Sequence, residues 1–306
     1  MLFAFRALLI TILLLFCSGC SVSKLYDKAI NFERSRADMN KVTANFDFGQ
    51  LSYLENDTQS DSAIVLLHGF GGDKDNWNRF SANMTTRLHI LAPDLPGHGE
   101  SIADPGLSYS INSQANKLAA LLESRNIQAI HLAGNSMGGA VAIQYALAHP
   151  ERVKTLTLFS SLGVRKTASR LDALVKNTGS NPLFNLCTPE GFMKMINFSM
   201  TRPPYIPGMF LEDLAKKKCA RRELETKIYR DIYNDSDLSE AISNLKMPTL
   251  IIWGKHDRIL HVDNATAFKQ TIKNSELHIL DAGHVPLLEL PEETANIVSA
   301  FIQKHQ

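Results

Sequence analysis

The sequence predicts an α/β protein built on a mostly parallel sheet with helices on both faces. Two observations lead there, and a third divides the chain. Short apolar runs recur at Ala63–Leu67 (AIVLL), Ala129–Ala133, Val153–Phe159 and Thr249–Trp253, with helix-patterned segments between them. Unbroken apolar runs of this length suit strands buried on both faces, and their alternation with helices suits parallel crossovers. At 306 residues, 44% hydrophobic, the chain can bury the core such a sheet needs. The rhythm then stops between Leu162 and Lys246 for about eighty residues, too long a stretch for a loop.

The chain divides accordingly. Residues 1–20 form a leader: Arg6 precedes the apolar stretch Ala7–Cys17, broken only by Thr11, and small residues Ser18 and Gly19 lead to Cys20. That layout is a secretory signal, and the stretch falls short of the roughly 20 apolar residues of a membrane span. Cys17-Ser18-Gly19-Cys20 resembles a bacterial lipoprotein box, with Cys17 where leucine is usual. Lipidation at Cys20, plain cleavage, and an uncleaved anchor are the three fates open to it. All three export the chain from a bacterial cytoplasm, as a membrane-anchored lipoprotein facing the periplasm or cell surface, or as a secreted protein. Membrane association then runs through the N-terminus.

Residues 21–41 carry apolar residues spaced among charges (Leu25, Ala29, Ile30, Phe32) and read as a helical linker. Residues 42–161 hold the first part of the sheet: a strand pair over Val42–Phe48 and Leu51–Glu55, then Ala63–Leu67, Leu88–Ala92, Ala129–Ala133 and Val153–Phe159. Helices are expected at Ser113–Arg125 and from Met137 to about Ala148. Residues 162–246 form a helical cap inserted after the sixth strand, with Met, Phe and Pro in Phe192–Phe198 and Pro203–Phe210. These residues suit either an adaptable apolar channel or the cap's own core. Residues 247–306 complete an eight-stranded sheet with Thr249–Trp253 and Leu277–Leu280, closed by a helix over Pro291–Gln303 with Pro at its first turn.

Charge excludes one class of partner. With 32 basic and 31 acidic residues, a net charge of +1, there is no electrostatic case for nucleic acid. Outside the leader only Cys187 and Cys219 remain; a disulfide and two buried thiols are both open. Neither lies in a CxxC motif or beside a histidine, which argues against a metal site.

Chemistry concentrates in three places. Gly134-Asn135-Ser136-Met137-Gly138 matches G-x-S-x-G, a pattern that a chain this long meets by chance with a probability of roughly 0.1. Its setting makes it specific: it follows a buried strand and opens a helix, the strained elbow that lifts a nucleophilic serine above a sheet. A serine needs a base, and the base a partner that fixes its tautomer. His284 follows the last strand, and Asp257 follows the strand before it, in the chain order Ser, acid, His. Asp263 and Asp281 are weaker rivals for the acid. An oxyanion needs two donors, here the N–H of Met137 and that of Phe70 in His68-Gly69-Phe70-Gly71-Gly72. His68 and Gly69 support that loop, with His68 shaping it rather than serving as a second base.

These segments, with Asp73-Lys74-Asp75-Asn76-Trp77 and Pro93-Asp94-Leu95-Pro96-Gly97-His98-Gly99-Glu100-Ser101, resemble the α/β-hydrolase superfamily. Within it they look like the bacterial family V lipases and the monoacylglycerol lipases, over residues 24 to 303. The resemblance implies the α/β-hydrolase fold, a cofactor-free carboxylic ester hydrolase and a lipid ester substrate such as an acylglycerol. A carbon–carbon bond hydrolase of the same fold and a non-catalytic lipid-binding member are the alternatives.

Overall fold

The computed structural model describes residues 22–58 and 62–305. The leader and Cys20 lie outside the described residues. Helix α1 (Val22–Arg36) leads into β1 (Asn40–Phe46) and β2 (Gly49–Glu55), an antiparallel pair. Then follow β3 (Ala63–Leu67), α2 (Asn78–Ala82), β4 (His89–Pro93), α3 (Ile111–Ser124), β5 (Ile130–Asn135), α4 (Met137–Ala148) and β6 (Val153–Phe159). Four helices come next: α5 (Arg170–Thr178), α6 (Pro189–Ser199), α7 (Gly208–Ala220) and α8 (Arg222–Asn234). The chain ends with β7 (Thr249–Gly254), α9 (Asp263–Thr271), β8 (Ser275–Leu280), α10 (Pro286–Glu289) and α11 (Pro291–Lys304).

The eight strands form one sheet in the order β1-β2-β4-β3-β5-β6-β7-β8. Among the described residues only the β1–β2 and β2–β4 pairs are antiparallel; β4-β3-β5-β6-β7-β8 run parallel. This is the α/β-hydrolase fold. Side chains alternate between the sheet's two faces, so each central strand feeds two cores. Ile64, Leu66, Phe159, Leu250 and Ile252 pack with Trp77, Phe80 and Phe301 on one side. Val65, Leu67, Leu132, Leu156, Leu158 and Ile251 pack with α3 and α4 on the other. A strand such as AIVLL has to be apolar throughout because neither face meets water.

Helix α3 shows local rules setting a boundary. Ser110 caps it by accepting the Ser113 N–H at 3.2 Å, and Ile111, Ala115, Leu118 and Leu122 recur on one buried face. It therefore starts two residues before Ser113, where sequence periodicity alone places it. The edge strands are also longer than their apolar runs. Asn40 pairs with Glu55, and Ser275 with Thr249, on hydrogen bonds that polar residues make as well as apolar ones.

After β3 the chain moves to β4 on one side, and β5 then takes β3's other flank. The connections leaving the carboxyl ends of β3 and β5 therefore diverge, and the crevice between them is where open α/β sheets bind ligands. The loop His68–Gly72 and Ser136 stand at its two lips. Helices α5–α8 and the segments between them, called the cap below, contribute Leu183, Met195 and Tyr229 to a cavity that also exposes Ser136 and His284. Cys187 and Cys219 are joined by a disulfide that ties the segment before α6 to the end of α7.

Candidate active site

Ser136 sits between β5 and α4 at φ +53°, ψ −116°, a conformation that non-glycine residues adopt only when their surroundings impose it. Those surroundings are hydrogen bonds and close backbone packing. The Ser136 N–H donates to Phe159 O at 3.0 Å, and Leu162 N–H donates to Ser136 O at 3.0 Å. A Cβ on Gly138 would fall 2.3 Å from Leu67 O, so only glycine lets α4 seat against the end of β3. The elbow is thus locked by the backbone around it.

Phe70 and Met137 both line the cavity beside Ser136. Among the described residues, neither the Phe70 N–H nor the Met137 N–H donates a hydrogen bond. For Met137 this follows from its place as the first residue of α4, where amide hydrogens have no partner within the helix. His68 organises the other lip. Burial depresses its imidazole below the ordinary histidine range, so the ring is neutral with one donor and one acceptor. Its Nε2 accepts the Leu95 N–H at 3.0 Å, which leaves Nδ1–H to donate to Gly69 O at 2.8 Å.

His284 and Asp257 come together from the ends of β8 and β7. Nδ1 of His284 lies 2.8 Å from Asp257 Oδ2, with the two side chains 8% and 0% exposed. The other carboxylate oxygen, Oδ1, accepts the N–H groups of Ile259 at 2.8 Å and Leu260 at 2.9 Å. Three donors therefore fix this carboxylate, and among the described residues none bonds Nε2, the other nitrogen of the His284 ring. The rival acids are placed elsewhere. Asp281 is exposed and pairs with His256 and Arg202, and Asp263 is exposed beside His261 and Thr167.

Three further supports had little sequence signal. Glu289 is buried, and its carboxylate accepts the N–H groups of Thr201 at 2.7 Å, Arg202 at 2.9 Å and Gly283 at 2.9 Å. It thereby ties the loop carrying His284 to the chain leaving α6. The hint was a lone carboxylate inside the apolar run Pro286–Leu290. The His284 N–H adds a second tie, donating to Ser199 O at 2.7 Å. Beneath the other lip, Lys74 Nζ lies 2.7 Å from Asp94 Oδ2 and 2.9 Å from Glu100, with Lys74 2% and Asp94 0% exposed. Burial, the largest single influence, would depress the Lys74 ammonium, but the carboxylates of Asp94, Glu100 and Asp75 together hold it above the ordinary lysine range. Breaking one partner of such a buried pair typically costs about 3–5 kcal/mol, so it forms a firm floor for the loop above it.

The cavity offers about 110 Å³ of space to water-sized molecules and opens onto solvent. Its wall beyond Ser136 is largely apolar, with Leu162, Leu171, Leu183, Met195, Ile232 and Ile259. Arg165, Asp172 and Tyr233 lie among its polar residues.

The Alpha/beta hydrolase family model matches residues 64–297. The chain is 34% identical to Lipase 3 of Moraxella sp. over 284 residues, covering 90% of this chain and 88% of that one. It is 30% identical to the mouse (Mus musculus) monoacylglycerol lipase ABHD6, covering 78% and 75%. The crystal structure of a membrane phospholipase A, a bacterial virulence factor, superposes with a TM-score of 0.90 at 31% identity, covering 99% of this chain and 98% of that one. The chain belongs to the alpha/beta hydrolase family.

Proposed function

We propose that this carboxylic ester hydrolase cleaves lipid esters, acylglycerols among them, through an acyl-enzyme on Ser136. The observation that carries the proposal is the meeting of Ser136 with the His284–Asp257 pair at one apolar cavity. In the first step Ser136 Oγ attacks the ester carbonyl while His284 Nε2 takes its proton. Asp257 holds Nδ1–H and balances the charge on the imidazolium. The carbonyl oxygen becomes an oxyanion against the N–H groups of Phe70 and Met137. Collapse of this intermediate expels the alcohol, which leaves with the proton from His284. Water then attacks the acyl-enzyme, His284 accepts and returns a proton again, and the fatty acid departs with Ser136 regenerated.

Apolar walls favour an acyl chain over a polar acyl group. The names of the Moraxella lipase, the monoacylglycerol lipase and the membrane phospholipase A support the same substrate class. Export and attachment to a membrane at Cys20 belong to the proposal; the leader motif supports them.

The test is hydrolysis of an ester series from short to long acyl chains, with Ser136→Ala measured beside the parent chain. The parent is expected to turn over the longer chains and to label with a fluorophosphonate. Ser136→Ala should lose activity by a factor on the order of 10⁴–10⁶ and fail to label. An Ser136→Ala protein that keeps full activity refutes the nucleophile. Fractionating the same cells tests the location, since Cys20→Ala should release activity from the membrane fraction. Activity that stays there unchanged rules out the lipid anchor.

A further inference from the structure

The turn that carries the Phe70 N–H is held from two sides, and only one of them is the sheet. Gly72 N–H donates to Gly69 O at 3.1 Å, closing a β-turn in which Gly71 adopts φ +71°, the left-handed value a type II turn needs at this position. His68 Nδ1 secures the Gly69 carbonyl from the core side. The Gly71 carbonyl is held from the cap. Lys218, near the end of α7, donates from Nζ to Gly71 O at 2.6 Å and pairs with Glu225 at 2.9 Å. Glu225 is buried, so this carboxylate keeps the ammonium at one spot.

The Lys218 side chain is itself anchored. Its neighbour Cys219 is bonded to Cys187. Three residues before Cys187, Phe184 meets the Phe70 ring edge-on at 6.3 Å, and both rings meet Tyr229 of α8, at 5.4 and 5.7 Å. The disulfide therefore joins two of the cap segments that touch the turn. Two residues after Cys219, the Arg221 guanidinium donates to Gly97 O, in the loop that packs His98 against Phe70. The elements touching this turn form one continuous cluster, and a single cation from it reaches the turn's backbone.

We propose that Lys218 is a positioning residue, a cap-borne ammonium that sets the Gly69–Gly72 turn so that Phe70 N–H meets the oxyanion only while the cap is docked. The inference rests on Phe70 being an oxyanion donor. Lysine suits the task because its compact head can bond a carbonyl and a carboxylate at once. Docking the cap and completing the oxyanion pocket then become one event.

Lys218→Met removes the ammonium and keeps the stem. Because it strands the buried Glu225 carboxylate, Lys218→Met/Glu225→Gln is measured with it, and Lys218→Arg tests rescue. Removing an oxyanion donor outright costs about 10²–10³ in kcat, so loosening one should cost about tenfold. On a water-soluble p-nitrophenyl ester, both Met variants should lose about tenfold in kcat with KM within about twofold. Fluorophosphonate labelling of Ser136 should slow by the same factor, because that reaction also builds negative charge on an oxygen, and Lys218→Arg should recover most of both. Wild-type kcat and labelling in the two Met variants overturns the proposal. So does a raised KM at unchanged kcat, which would make Lys218 a substrate contact. Ser136→Ala in the same assay separates the layers: an active Ser136→Ala protein removes the acyl-enzyme reading itself. An inert one beside wild-type Met variants removes Lys218's role alone.

Discussion

Replacing Asp257 with asparagine changes one atom and tests the whole relay. The carboxylate has Oδ2 at 2.8 Å from His284 Nδ1 and Oδ1 accepting from two backbone N–H groups at 2.8 and 2.9 Å. An asparagine can fit in two ways. With its oxygen toward Ile259 and Leu260, both N–H groups stay satisfied and the amide NH₂ faces His284. Nδ1 must then accept, which moves the ring proton to Nε2, the nitrogen that takes the proton from Ser136 in the proposed mechanism. With the amide reversed, the tautomer survives but two buried N–H groups face a donor. At about 1–3 kcal/mol for each unmet group, that arrangement costs about 2–6 kcal/mol. The first orientation therefore wins, and the base is lost to the wrong tautomer.

Turnover should fall by about 10⁴, or roughly 5.4 kcal/mol of transition-state stabilisation. Stability should fall much less, by about 1–2 kcal/mol, because only the charge assistance of three hydrogen bonds disappears. The assay is kcat on a soluble ester together with urea unfolding, with Asp281→Asn as the control. Asp281 is exposed and pairs with His256 and Arg202, so that variant should keep wild-type turnover. A folded Asp257→Asn enzyme within tenfold of wild-type kcat would refute the reasoning, and a collapse in Asp281→Asn would reassign the acid.

Two other predictions concern what holds the site. Glu289→Gln removes one carboxylate oxygen from a group that binds four backbone N–H groups, those of Thr201, Arg202, Gly283 and Val285, and should cost about 1–3 kcal/mol in urea unfolding along with a fall in kcat. Unchanged stability and turnover would show that the His284 loop holds itself. His131, buried in β5, is held down to about 4 by desolvation, with Lys154 adding to it. The folded ring stays neutral while the unfolded one takes a proton below about pH 6.5, so stability is lost as pH falls through that window. Between pH 7 and pH 5 this group alone removes about 2 kcal/mol. His131→Gln, which can still bond Thr155, should lose correspondingly less on acidification. Burial also depresses His68 and His98, and both remain to act in the same direction. Parallel pH dependence in the two proteins would contradict the burial argument.

The sheet was legible in the sequence because both its faces are dry. Strands such as AIVLL and LIIWG carry an unbroken apolar run closed by turn residues, His68-Gly69 after the first and Lys255-His256 after the second. The same argument explains where the signal fades: β1 and β8 lie at the sheet's edges, half-wetted, and their polar residues hide the true ends. Ser136, Asp257 and His284 could be picked out because each follows a strand's carboxyl end, where turn residues and reactive side chains stand apart from apolar runs. Glu289, Lys218 and the Lys74–Asp94 pair could not be. Each looks like an ordinary charged residue until the fold shows what surrounds it.

By itself, then, the sequence determined the order of strands and helices and the elbow at Ser136. These depend on local pattern, since periodicity and turn chemistry act over a few residues. The tertiary structure alone decided the rest. It joined Cys187 to Cys219, brought Asp257 within 2.8 Å of His284, and laid Lys218 against Gly71, 147 positions away. Those pairings come from packing between distant elements, and no local spacing along the chain encodes a distance across a folded core.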